Sequence, residues 1–406
     1  MFVSIINSML RITSSLYSLL TWLLRYFFGV PLQSLEPIRD WSGLTEEMLA
    51  EIAMRMPSVE DFMAFRGVCT SWRAAARLDK FVNSRSGSRV PFLMIAGQQE
   101  NNDEYCELYS LSRRRIAMRL KLPEVKGKRC MEAGFGWLLT VASCSGEVNL
   151  LNPLTRSQIH LPNLPGSVDC IFILTAALSA NPSTTCNFVL MAIRNAGQFL
   201  GYWKPGNLTW TPIKTSGRIF SDVAYYNGKF YVLDAIDELW VWDDVAVTHL
   251  HLDNIGHDLV FSAKEAYLVE SSNGELLVVI RKSRDEFRVV RLDVRNCQWE
   301  EMTSLGKDAV FVGHSVSKSI VASAFPSGIK PNCIYFTEEG MQFRLCYELA
   351  SAGRGGEDME LYNLIVSGRG GEDDMGVYNL GDGNIDRFRG ITSVSNFICP
   401  PVWISF

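Results

Sequence analysis

The sequence predicts a mainly β chain in which a small N-terminal group of three helices precedes a β-propeller, six blades being favoured over seven. Three observations carry this expectation. Apolar residues at helical spacing are concentrated between 41 and 80; beyond 90 they give way to short apolar runs bounded by Gly, Asn, Asp and Pro. Two Asn-Gly turns within those runs lie 46 residues apart, inside the roughly 40–50 residues of a propeller blade.

Residues 1–35 read as an apolar extension. Met1 to Val30 contains no acid, and its only charges are Arg11 and Arg25. Ser4, Ser8, Arg11, Ser15, Ser18, Thr21 and Arg25 recur along one helix face, so a helix here is amphipathic and suited to a membrane surface. The run from Ile12 to Leu24 is shorter than the ~20 residues of a span, unless Arg25 snorkels and the span continues to Val30. A secretory signal or organellar transit peptide shares this composition, and a self-packing extension without a targeting role is the plainer alternative. Pro31 and Pro37 then mark a linker.

The helical module follows at 41–80. Thr45 is placed as an N-cap, with Glu46 and Glu47 in the first turn, where carboxylates meet the positive end of the helix dipole. Leu44, Met48, Leu49, Ile52 and Met56 recur at intervals of three and four, giving one apolar face. Pro57 ends that helix. Ser58 with Asp61 has the spacing of a capping box, and Phe62, Phe65, Val68 and Cys69 continue a second periodic run. Gly67 predicts a bend before a last helix carrying Trp72. A segment near ~40 residues seldom buries enough surface alone, so its apolar faces need a partner chain or a neighbouring domain.

In this order Leu44, Leu49, Ile52, Met56-Pro57, Asp61, Phe65-Arg66, Val68-Cys69 and Ser71-Trp72-Arg73 resemble the F-box, which binds a Skp-type adaptor of cullin-RING ubiquitin ligases. Thr45 departs from the family's usual proline. The resemblance implies that Leu44, Met48, Leu49, Ile52, Pro57, Val68, Cys69 and Trp72 are shared between an internal core and an adaptor-binding surface, with a cullin engaged through the adaptor.

From 90 to 406 strand-length runs recur: Phe92 to Ala96, Glu107 to Leu111, Trp137 to Ala142, Glu147 to Leu151, Cys170 to Leu178, Phe188 to Ile193 and Gln198 to Trp203. Between Val223 and Met302 the pattern becomes regular. Asn227-Gly228 is a strong hairpin signal, followed by a strand ending at Trp242 and another near Val247 to Leu252. The next unit repeats the design, with Asn273-Gly274 as its turn and Trp299 in its outer strand. The 323 residues from Ser84 allow six or seven blades, and a strand near Pro401 to Phe406 is placed to complete the first. A pair of β-sandwiches is the alternative architecture. Asn149 to Thr155, Ile159 to Pro162, Asn332 to Glu338, Met375 to Asp382 and Pro400 to Trp403 together resemble the KIB-type β-propeller of plant F-box proteins. Gly353 to Leu364 is echoed by Gly368 to Leu380, a short duplication that implies a looped-out copy or an irregular last blade.

No reaction chemistry is legible. The net charge of −5 argues against a nucleic-acid binder, and the clusters at Arg113-Arg114-Arg115 and Lys126 to Arg129 read as solvated turns. Ten cysteines occur singly, without CxxC spacing, so no zinc site is expected and reduced thiols of the cytoplasm or nucleus fit best. His249 and His251 share a strand face but lack further ligands, leaving no metal, cofactor or catalytic set. The function expected is that of a substrate receptor in a Skp-cullin-F-box ligase, with the propeller binding a protein target. The competing expectation is a propeller that binds a small ligand or catalyses a reaction, its F-box controlling its own turnover; a nonligase scaffold is a third.

Overall fold

A computed structural model describes residues 44–56, 58–84, 90–96, 105–142, 145–163, 173–194, 199–214, 217–234, 238–244, 246–250, 265–283, 285–293, 298–313, 316–325, 328–337, 375–388 and 401–406. The apolar extension, Pro57, His251 and the first copy of the duplication lie outside them. The chain divides into two compact units, residues 1–56 with 62–76, and residues 57–61 with 77–406.

The first helix, α1 (Glu46–Met54), begins where the sequence places its cap: the Thr45 hydroxyl accepts from the Met48 N–H. Helix α2 (Val59–Arg66) starts at Ser58, whose hydroxyl accepts from the Asp61 N–H and donates to the Asp61 carboxylate. Gly67 turns the chain into α3 (Thr70–Ala75). A fourth helix, α4 (Leu78–Ser84), follows and runs past the expected module boundary at residue 80.

Among the described residues the second unit contains six sheets. Blade 1 contains β1 (Phe92–Ala96), β2 (Tyr105–Ser110) and β3 (Arg115–Lys121). Blade 2 contains β4 (Lys128–Gly134), β5 (Trp137–Ala142), β6 (Val148–Leu151) and β7 (Gln158–Leu161); blade 3, β8 (Ile173–Leu178), β9 (Leu190–Arg194), β10 (Phe199–Trp203) and β11 (Thr211–Ile213). Blade 4 is β12 (Phe220–Tyr226), β13 (Lys229–Asp234), β14 (Leu239–Trp242) and β15 (Val247–Leu250); blade 5 is β16 (Glu265–Glu270), β17 (Leu276–Ser283), β18 (Glu286–Asp293) and β19 (Gln298–Met302). These are antiparallel meanders, the arrangement that short connections favour.

Blade 6 departs from that rule. It runs β21-β20-β22-β23-β24, from β20 (Asp308–Val312), β21 (Lys318–Val321), β22 (Cys333–Phe336), β23 (Gly376–Asn379) and β24 (Ile385–Arg387). Strand β21 folds back to the axis, so β22 pairs β20 in parallel, Ala309 opposite Cys333. The last blade is therefore irregular, through a parallel pair that lies outside the duplicated residues.

The ring closes through β25 (Val402–Ile404), which pairs antiparallel with β1 and supplies the inner strand of blade 1. Trp403 is buried and its indole N–H donates to the Val312 carbonyl at 2.9 Å, bonding blade 1 to blade 6. On the other side Gly136, at φ +73°, comes so close to the Ser405 carbonyl that a Cβ would sit 2.6 Å from it. Between adjacent blades lie aromatic and aliphatic layers: Trp137, Leu190 and Trp203 between blades 2 and 3, Tyr267, Phe287 and Phe336 between blades 5 and 6.

The Asn-Gly signals fall at blades 4 and 5. Tyr226 pairs with Lys229, and Asn227 and Gly228 take φ values of 46° and 81°, a two-residue turn of the left-handed kind. The second turn is wider. Ser271 N–H donates to Glu275, and only Gly274, at φ 76°, is left-handed. The Tyr226 hydroxyl donates to the Gly274 carbonyl at 2.7 Å, tying the two turns together.

Candidate functional site

The helical module sorts its expected site residues by burial. Leu49 and Trp72 are 1% and 3% exposed, and Ile52 is also buried; with Phe62 and Phe65 they form the module's interior. The Phe65 and Trp72 rings lie 4.3 Å apart between centroids. Leu44, Met48 and Cys69 are half-buried, while Val68 is 48% exposed. Leu49, Ile52 and Trp72 are thus placed to hold the module together, leaving Val68 with parts of Leu44, Met48 and Cys69 at its surface. Pro57 lies outside the described residues.

Two arginines quoted within the F-box resemblance prove structural. Arg66 donates to the Arg73 and Ala76 carbonyls, and Arg73 Nε donates to the Arg66 carbonyl at 3.2 Å. These bonds satisfy carbonyls that two helix ends leave without partners. The intervening bend is thereby fixed, with Val68 upon it. At the start of α3 the Ser71 hydroxyl and the Trp72 N–H hold the Cys69 thiol below its ordinary pKa.

On the propeller axis a second constellation appears, which periodicity does not reveal. Strand β12 brings Asp222 against the inner strands of its neighbours. The Asp222 carboxylate accepts from the Val223 and Leu268 N–H groups at 2.8 and 2.7 Å and from the Thr175 hydroxyl at 3.3 Å. Burial pushes it up to about 7, against those hydrogen bonds, which favour the ionised form. Glu265 on β16 pairs with buried Arg281 at 3.3 Å and accepts from Tyr267 at 2.8 Å. Arg281 also lies over Phe287 and Phe336, 5.5 and 5.1 Å from the ring centroids. Glu132 on β4, 1% exposed, accepts from Lys318 at 3.0 Å and from the Gly136 N–H at 3.0 Å.

The histidines form no metal centre among the described residues. His160 Nδ1 lies 2.6 Å from Asn149 Oδ1. His249 packs on Trp240, 4.7 Å between centroids, with Nε2 3.2 Å from Glu238. No group of three or more His, Cys, Asp or Glu side chains is gathered to hold a metal among the described residues. Nor is any described helix long and apolar enough to cross a membrane.

Comparison with known proteins supports both the module order and the propeller. The KIB1-4 β-propeller family profile matches residues 108–379. A probable F-box protein of Arabidopsis thaliana is 22% identical over 347 residues, covering 74% of this chain and 90% of the relative. F-box protein SKIP23 of Arabidopsis thaliana is 24% identical over 424 residues, covering 90% and 96%. Another F-box protein of that plant is 26% identical over 345 residues, covering 73% and 85%.

Proposed function

The chain belongs to the KIB1-4 β-propeller family, and from that premise we propose that it is the substrate-receptor subunit of a Skp-cullin-F-box ubiquitin ligase. The helical module holds a Skp-type adaptor, and through it a cullin, while the propeller presents a surface to a protein target. The reading rests on the union in one chain of the 44–76 module with the family's propeller, aligned with an F-box protein over 90% of this chain and 96% of the relative.

The chain's contribution to ubiquitin transfer is proximity: it raises the target's effective concentration near the charged enzyme and carries no covalent step. A partner covering Val68 and the open parts of Leu44, Met48 and Cys69 removes apolar surface that the module leaves in water. Adaptor and cullin place the protein in the cytoplasm or nucleus. The amphipathic pattern of 1–30 adds peripheral membrane contact to this proposal.

Co-purification of a Skp-type adaptor with the intact protein tests it, beside Val68→Asp with an unchanged circular dichroism spectrum. Capture by the parent and a loss of at least about tenfold in the variant are expected, since a charge placed in an apolar interface is costly. Failure of the folded parent to capture adaptor refutes the receptor role; full capture by the variant refutes the placement of Val68 in the interface.

A further inference from the structure

A cavity of about 30 Å³ lies on the propeller axis, lined by Thr175, Ser221, Asp222, Glu265, Tyr267 and Gly313 from four successive blades. Its size suits one or two water-sized occupants. The lining is rich in acceptors and poor in protons. Thr175 donates its hydroxyl proton to Asp222, Ser221 to the Leu233 carbonyl at 3.2 Å, and Tyr267 to Glu265. The Thr175 and Ser221 hydroxyl oxygens keep their lone pairs. Glu265 Oε2 takes both Tyr267 and Arg281, whereas Oε1 is buried without a partner among the described residues. Leaving such an oxygen unmet is costly, so the occupant must be small and electropositive. Arg281 offsets the charge of Glu265, and Asp222 has no ion-pair partner among the described residues.

We propose that this cavity binds one hard cation, ligated by Glu265 Oε1 and the hydroxyl oxygens of Thr175 and Ser221, with water completing its shell. Asp222 supplies balancing charge from the second sphere. An all-oxygen donor set selects calcium, magnesium or an alkali ion over zinc or copper. Three inner strands, β8, β12 and β16, contribute ligands, so the ion bonds blades 3, 4 and 5 together at the axis. This site is independent of the receptor role.

The test uses the full chain, stripped with chelator and exchanged into choline chloride. Thermal unfolding is then followed as CaCl₂, MgCl₂, KCl or NaCl is added at matched ionic strength. One of these salts is expected to raise Tm by about 3 °C or more at millimolar concentration, a shift that mass action gives a site of matching affinity. Glu265→Gln is expected to abolish the rise. Thr175→Val, which leaves the Glu265–Arg281 pair intact, is expected to reduce it and decides the matter if Glu265→Gln fails to fold. Equal curves in all five salts overturn the proposal and leave the cavity to water only, as does an undiminished rise in Thr175→Val.

Discussion

Burial separates two kinds of residue that the sequence groups together. Leu49 and Val68 both belong to the expected adaptor set, yet one is 1% and the other 48% exposed. Leu49→Ala is therefore expected to destabilise the module by about 2–5 kcal/mol, and Val68→Asp to leave its unfolding nearly unchanged; denaturant titration of the two variants distinguishes them. Trp72 stands with Leu49, so its truncation tests folding before it tests binding. Periodicity could not make this division, because a helix face looks the same whether its own chain or another covers it. Asp222 carries a pH signature of its own. Its partners are Thr175 and the Val223 and Leu268 N–H groups, and Glu265 and Tyr267 share its cavity. Because its folded pKa is raised from 3.8 to about 7, the stability it contributes is complete below the unfolded value and lost as pH rises through about 7. In choline chloride, unfolding free energy should fall by up to about 4 kcal/mol between pH 4 and pH 8. Asp222→Asn should flatten that slope; an unaltered slope assigns the dependence elsewhere.

Among elements, the terminal strand is the one on which closure depends. Trp403 is fully enclosed, edge-on to Phe311 at 5.2 Å, and bonded to Val312. Trp403→Ala is expected to cost about 3–5 kcal/mol, read as a fall in propeller Tm while α1 to α3 remain helical by hydrogen exchange. The strand itself was legible, since Val402-Trp403-Ile404 is apolar, β-favouring and otherwise without a partner. Strands β3 and β4 were not: Arg115, Arg119, Lys121, Lys128 and Arg129 interrupt their apolar pattern. In β3 these side chains face solvent at an outer edge, and in β4 Arg129 is buried by tertiary packing that no local pattern announces. Helix α4 has a weak local signal for a related reason: among its described side chains, Phe81 and Val82 are the buried anchors. The Asn273-Gly274 dipeptide looks in sequence like a copy of Asn227-Gly228, but Ser271 pairs with Glu275 and widens the turn.

At the scale of the whole chain, composition and turn spacing were enough for the six-bladed propeller and for the helices before it. The axial charges were not legible: Asp222 and Glu265 stand at the starts of ordinary strand patterns, and only ring closure sets them around one cavity. The amphipathic pattern of 1–30 makes its own prediction. Full-length protein should sediment with anionic phospholipid vesicles, and a chain lacking residues 1–30 should remain in the supernatant; equal partitioning of the two rules out anchoring by this segment.

The pairing of β25 with β1 spans some 300 residues of sequence, and it gives the two units different timetables during synthesis. A ribosome has released the helical module long before it makes the strand that shuts the ring. Under the proposed receptor role, the nascent chain has for that interval its adaptor-binding part and no finished receptor. Messages truncated upstream of Val402 would yield the same species permanently: a product able to occupy adaptor while presenting no target, and hence a competitor of the complete protein.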